Sequence, residues 1–198
     1  AADFAATAPP ALALAVQQLY VAFAHRVRPQ AFNACTCGLC MPPAMGTALQ
    51  TAPLRGMTVD VLAQYLNAAR DASLPALDFA WLLPRVAELM SHGDLEGMRH
   101  SAELALDRLV ECPASELTEA EHHALNAWLR VLWRWYLQDG TTDWPCPVPM
   151  LTHDADELLL MTALGGLPLA PLLDAWLQAD SDWAVLQFAL LAHALDEN

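Results

Sequence analysis

Apolar residues recur along this chain at three- and four-residue intervals, and no stretch alternates with a period of two. The clearest stripe lies in 119–137, where Leu125, Trp128, Leu129, Leu132 and Tyr136 fall on one helical face. Just before it, Thr118-Glu119-Ala120-Glu121 matches a capping box, a threonine at the cap with a glutamate three residues on. Pro9-Pro10 opens an earlier helix over 10–27, which Pro29 stops. Thr58 caps another over 59–70, with Val61, Leu62, Tyr65, Leu66 and Ala69 at helical spacing. A helix over 75–90 contains Pro84, which predicts a kink or a break near Leu83. His92-Gly93-Asp94 is a stop followed by a cap, and opens a helix over 95–110. Three short helices, 155–164, 168–178 and 182–195, close the chain.

Two connections stand out. Residues 30–57 form a long link with at most a short turn near 45–50, and such links are uncommon unless they are functional or held by something. Trp144-Pro145-Cys146-Pro147-Val148-Pro149 is a stiff, non-helical linker. The expected fold class is all-α: stacked antiparallel helical hairpins, as an irregular bundle or a solenoid-like array, of about eight helices. There is no strict internal repeat. The chain reads as a single helical domain over 1–198, divisible at the linker into 1–143 and 150–198.

Composition narrows the function classes. The 198 residues are 56% hydrophobic and 16% charged, enough apolar surface for a sizeable core. The net charge is −14, from 23 acids against nine basic residues, all arginine. A nucleic-acid partner is therefore excluded as an expectation, since phosphate neutralisation needs a basic surface. Anionic membranes repel such a chain, and its apolar runs are too interrupted to span one. A basic protein partner would be attracted. The start, Ala1-Ala2-Asp3-Phe4, lacks the basic n-region of a signal peptide.

Five cysteines are present, and three of them crowd into Cys35-Thr36-Cys37-Gly38-Leu39-Cys40. An odd, clustered set suits a reducing, cytoplasmic setting better than a disulfide framework. Zinc takes four N or S ligands, so Cys35, Cys37 and Cys40 would need a fourth from Cys112, Cys146 or a histidine such as His25. The Cys-x-Cys element also suits copper(I). Cys37-Gly38-Leu39-Cys40 has redox-dithiol spacing, but the βαβ setting that lowers such a thiol's pKa is missing. The plainer alternative is a loop of buried, inert thiols packing as small apolar groups.

Other candidates are weaker. Glu121-His122-His123 resembles a fragment of a zinc-protease motif without its second histidine. His153 and Glu157 lie one turn apart, yet Asp154, Asp156 and Glu157 are accounted for as acids at a helix N-terminus. Arg130, Trp133 and Arg134 make a basic ridge on the 119–137 helix that could recognise a carboxylate or anchor an interface, although such arginines more often answer local acids. Most of the seven tryptophans sit at helical spacing and are expected in the core. No nucleophile elbow, phosphate loop, dinucleotide fingerprint or intact His-Glu-x-x-His occurs.

Residues 32–90 resemble a family of uncharacterised bacterial all-helical proteins. The likeness rests on Phe32 with the cysteine cluster, then Pro53-Leu54-Arg55-Gly56-Met57-Thr58, Leu62 and Tyr65, and finally Phe79-Ala80-Trp81-Leu82-Leu83-Pro84-Arg85-Val86-Ala87-Glu88-Leu89. The Cys-x-Cys-x-x-Cys spacing and Trp81 depart from its pattern. The resemblance implies a bacterial cytosolic helical protein and carries no activity. Two functions are thus expected. The first is an acidic interaction protein for a basic partner, such as an immunity protein masking a toxin. The alternative is a metal-dependent or redox enzyme centred on Cys35, Cys37 and Cys40.

Overall fold

The computed structural model describes residues 9–71, 77–92, 106–112, 116–138 and 155–196. Among them are eight α-helices and two 3₁₀ turns, Leu54–Gly56 and Asp107–Leu109, with no strand. The helices are α1 Pro10–Ala22, α2 Pro43–Thr51, α3 Val59–Asn67, α4 Asp78–His92, α5 Glu119–Gln138, α6 Ala155–Leu164, α7 Ala170–Leu177 and α8 Asp182–Asp196. The all-α class and the number of helices match the sequence reading. The 95–110 helix and the 144–149 linker fall mainly or wholly outside the described residues.

Local chemistry accounts for most helix starts. Pro10 and Pro43 occupy the first turns of α1 and α2, where a missing N–H leaves no bond unmade. Thr58 accepts from the Val61 N–H at 3.5 Å to cap α3. The capping box of α5 is formed both ways: Thr118 N–H donates to Glu121 Oε2 at 2.7 Å, and Glu121 N–H donates to Thr118 Oγ1 at 3.2 Å.

Two helix ends and the course of the chain at Pro84 differ from the sequence reading. α1 stops at Ala22, well before Pro29: Phe23 N–H still makes the helical bond to the Leu19 carbonyl, and beyond it the chain tightens to three-residue bonds, Ala24 N–H to Val21 O and Arg26 N–H to Phe23 O. α3 ends at Asn67 because a buried side chain captures its last carbonyls: Arg108 donates to Tyr65 O at 2.8 Å and to Ala68 O at 2.7 Å. α4 runs unbroken through Pro84. Packing holds it, since from Phe79 to Ser91 every residue except Arg85 is buried.

α4 is thus buried on nearly every side. α1 packs on α4 and, more extensively, on α5; α5 also carries α7 and α8, and α6 packs on α8. α1 and α5 run antiparallel, since Arg26, just past the end of α1, meets Glu121 in the first turn of α5. One buried cluster reaches from Leu12 and Leu19 through Tyr65, Phe79 and Trp128 to Met161, Leu172 and Ala184. Each leucine fully withdrawn from water in it contributes about 1.5–3 kcal/mol. Trp128 and Trp133 are wholly buried, and their indole N–H groups donate to Ser91 Oγ at 2.9 Å and to Leu172 O at 2.7 Å. Trp133 stacks on Tyr136 and meets Trp176 edge-on. Among the described residues no helix is long and apolar enough to cross a membrane.

Candidate metal centre

The segment over 30–57, expected as a link with at most a short turn, instead contains α2 and the 3₁₀ turn Leu54–Gly56, and it is fastened on both sides of the cysteines. On the upstream side, the Phe32 ring lies 6.0 Å from the rings of Tyr65 and of Trp81. Asn33 is buried: its N–H donates to Asp78 Oδ2 at 2.6 Å, its carbonyl accepts from Arg108 at 2.6 Å, and its side chain accepts from Asp71 N–H at 2.7 Å. The Cys35 N–H donates to Ala69 O at 2.6 Å. On the downstream side, Gln64 donates to the Cys40 carbonyl at 2.6 Å, Met41 is buried, and Arg28 donates to the carbonyls of Gln50 and Ala52.

Between these anchors the hexapeptide protrudes. Cys37 is exposed, Cys35 and Cys40 are half-buried, and Leu39 is 91% exposed. Gly38 adopts φ +82°, which a side-chain-bearing residue rarely does, and so turns the chain back on itself. The turn brings the three Sγ atoms within 4.8 Å of one another. It also aims backbone at sulfur: the Cys40 N–H donates to Cys37 Sγ at 3.4 Å. The N–H groups of Cys40 and Leu39, together with the Cys35 thiol, pull the Cys37 thiol down to about 7. Cys35 moves the other way; the Cys37 N–H favours its thiolate, but hydrogen bonding with the Cys37 thiol and partial desolvation outweigh this and raise it. Cys35 and Cys37 therefore act as a pair whose charge is favoured on Cys37.

The geometry suits a soft ion. A zinc–sulfur distance of about 2.3 Å in a tetrahedron sets its sulfurs about 3.8 Å apart. Sulfurs already within 4.8 Å need close by only about 1 Å, a small side-chain rotation. The expectation of buried, inert thiols is not met. Packing pins the flanks and leaves Cys37 open to solvent, with Cys35 and Cys40 half-buried.

The proposed fourth ligands do not arrive. Cys112 is buried away from the cluster, next to Arg26 and Glu121, and burial raises its thiol. His25 also lies there, its Nε2 3.7 Å from Glu121. Cys146 is outside the described residues, as is His153. Among the described residues no histidine, aspartate or glutamate joins the three cysteines.

The remaining candidates resolve as follows. Glu121 is fully buried and paired with Arg26, whose Nη2 donates to Oε2 at 2.8 Å and to Glu116 O at 2.7 Å. It serves α5 and α1 and is not a ligand. Trp133 is a core residue, so it is withdrawn from the basic ridge it was assigned to. Arg130 and Arg134 are exposed, and neither enters an ion pair among the described residues, contrary to the expectation that local acids answer them. Sequence reading also missed the buried group Asn33, Tyr65, Asp78 and Arg108. Its members lie in four separate segments and carry no spacing signal.

Comparisons with protein-family models, with curated proteins and with solved structures return no match.

Proposed function

We propose that this chain is a metal-binding protein whose site for a soft ion is the thiolate set Cys35, Cys37 and Cys40. The observation that supports it is three sulfurs converging within 4.8 Å on a solvent-exposed hexapeptide whose flanks are held by unrelated contacts. A loop that needed its thiols only as filler would bury them. Three thiolates complete the coordination of copper(I) and leave one position open on zinc, to be filled by solvent or by a group from elsewhere. Elemental analysis of protein purified without chelator, followed by anaerobic titration with zinc and with copper(I), tests this reading. The expected result is about one equivalent of one ion, with loss of binding in Cys37→Ser. Less than about a tenth of an equivalent of either ion, with thiols alkylated equally fast in its presence and absence, would overturn it.

A second reading, an interaction protein for a basic partner, draws on α8. Between its terminal acids this helix is apolar except for Gln187 and His193, yet Val185, Leu186, Phe188 and Leu190 are exposed, while Ala184 and Gln187 are buried and Trp183 and Leu191 half-buried on its inward face. With a net charge of −14, a partner that covers this helix and rims it with arginine or lysine would associate faster at low salt. Pull-down with wild type and Phe188→Ser at two salt concentrations tests it. Equal recovery by both proteins would remove α8 as the contact.

A further inference from the structure

α1, α5 and the start of α7 enclose an open groove of about 1140 Å³. Its floor is apolar and buried, formed by Ala124, Leu129 and Leu172, and Leu14 and Val21 stand exposed along its α1 wall. From Glu119 to Arg130 it follows twelve residues of α5, about 16 Å along the helix axis. Glu119, His122 and His123 lie towards one end and Arg130 at the other.

Arg130 is the anomaly. Every other described arginine apart from Arg134 is held by a carboxylate or by backbone carbonyls. Arg134, one turn further along α5, has a local explanation. It lines a depression with Ala175, Gln178, Ala179 and Asp180, at the C-terminal end of α7, where the helix dipole and an aspartate favour a cation. Arg130 faces the opposite end. The groove meets α7 at Pro168, just ahead of the helix, and at Pro171 and Leu172 in its first turn, where the dipole disfavours a cation and Leu169 offers no side-chain cap. A cation placed there, without an acid, in a chain that has 23 acids to offer, sits where the local field calls for an anion. The overall negative charge opposes this only weakly, because distant surface charges are screened beyond about 8–10 Å.

We propose that the groove binds an aliphatic carboxylate, with the acid on Arg130 at the head of α7 and the chain laid over Leu129, Leu172 and Ala124 towards Val21. Guanidinium pairs a carboxylate through two parallel N–H donors, and the apolar floor supplies the rest of the binding free energy. This site is independent of the cysteine cluster.

Dodecanoate, titrated below its micelle concentration and followed by calorimetry, is the test. Saturable one-to-one binding is expected. Arg130→Gln should weaken it by at least about tenfold, the equivalent of one charge-assisted hydrogen bond. Arg134→Gln should leave it unchanged, and dodecanol and dodecyltrimethylammonium should bind more weakly than dodecanoate. Arg130 is exposed and without a partner among the described residues, so its variant should fold, and unchanged circular dichroism confirms this. Absence of saturable binding, equal losses in the two arginine variants, or equal binding of all three amphiphiles would overturn the proposal. Binding of an acidic amphipathic peptide to wild type but not to Arg130→Gln, where dodecanoate fails, would overturn it in favour of a protein occupant.

Discussion

The Tyr65 hydroxyl donates to Asp78 Oδ2 at 2.8 Å, and the guanidinium of Arg108 lies 4.4 Å from the centre of the same ring. A buried carboxyl group thus meets this ring at its hydroxyl and a buried guanidinium lies over its face. Burial, and then the nearby charge of Asp78, raise the Tyr65 hydroxyl far above the ordinary tyrosine value and keep it a donor. Asp78 has little to spare, since its Oδ1 finds no hydrogen-bond partner among the described residues. Tyr65→Phe should therefore destabilise the fold by about 1–3 kcal/mol, the cost of leaving a buried acceptor short of a donor. Urea unfolding measures it, and a loss below about 0.5 kcal/mol would remove the hydrogen bond from the account.

Arg108 is the larger test. Its guanidinium satisfies the carbonyls of Asn33, Tyr65 and Ala68, and so joins the cysteine-bearing link to the end of α3. Arg108→Leu should cost roughly 3–5 kcal/mol, as expected when buried polar groups lose a shared partner. Arg108→Lys should recover only part of this, because an ammonium cannot reproduce the planar fork. Equal stability of the Arg108→Lys variant and the wild type would mean that charge alone matters at this position.

Glu121 predicts an acid-dependent term. Burial raises its carboxyl, but the Arg26 guanidinium and the Thr118 N–H outweigh this and hold it below the usual glutamate value. A carboxyl depressed in the folded state contributes stability above its unfolded value of about 4.3, and that contribution is lost as pH falls through the folded value. Glu121→Gln can still complete the capping box, so it isolates the ion pair. The variant should be less stable than wild type by roughly 1–3 kcal/mol at pH 7. The gap should shrink as the pH drops below about 4.3. A gap of constant size from pH 7 to pH 3 would rule out the ionised pair as its source.

Limited proteolysis probes the thiol loop. Leu39 is 91% exposed between the cysteines, while both flanks are tied into the core. In metal-free protein, a chymotrypsin-type protease should cut at Leu39 and spare the flanks at Phe32 and Met41. An ion held by the three sulfurs should slow this cut by at least about tenfold, because its binding free energy becomes local folding free energy. Identical cleavage with chelator and with added zinc or copper(I) would defeat the metal reading.

Much of this protein was legible in its sequence. The period of apolar residues located α5 with Leu125, Trp128, Leu129, Leu132 and Tyr136 of its buried face, α6 to the residue, and the all-helical class, because helix burial is a local pattern repeated every turn. The capping box at Thr118 and Glu121 and the cap at Thr58 were equally local. The cysteine cluster stood out for the same reason, as three thiols within six residues. Only the tertiary structure decided where α3 stops, since an arginine from far along the chain takes its last carbonyls. Only packing on every side of α4 kept that helix whole through Pro84. The exposure of Cys37, the burial of Trp133 and the isolation of Arg130 were beyond local pattern as well. Each depends on which distant surfaces meet, and pairings such as α1 with α5 or Arg108 with Asn33 leave no period or spacing in the chain to read.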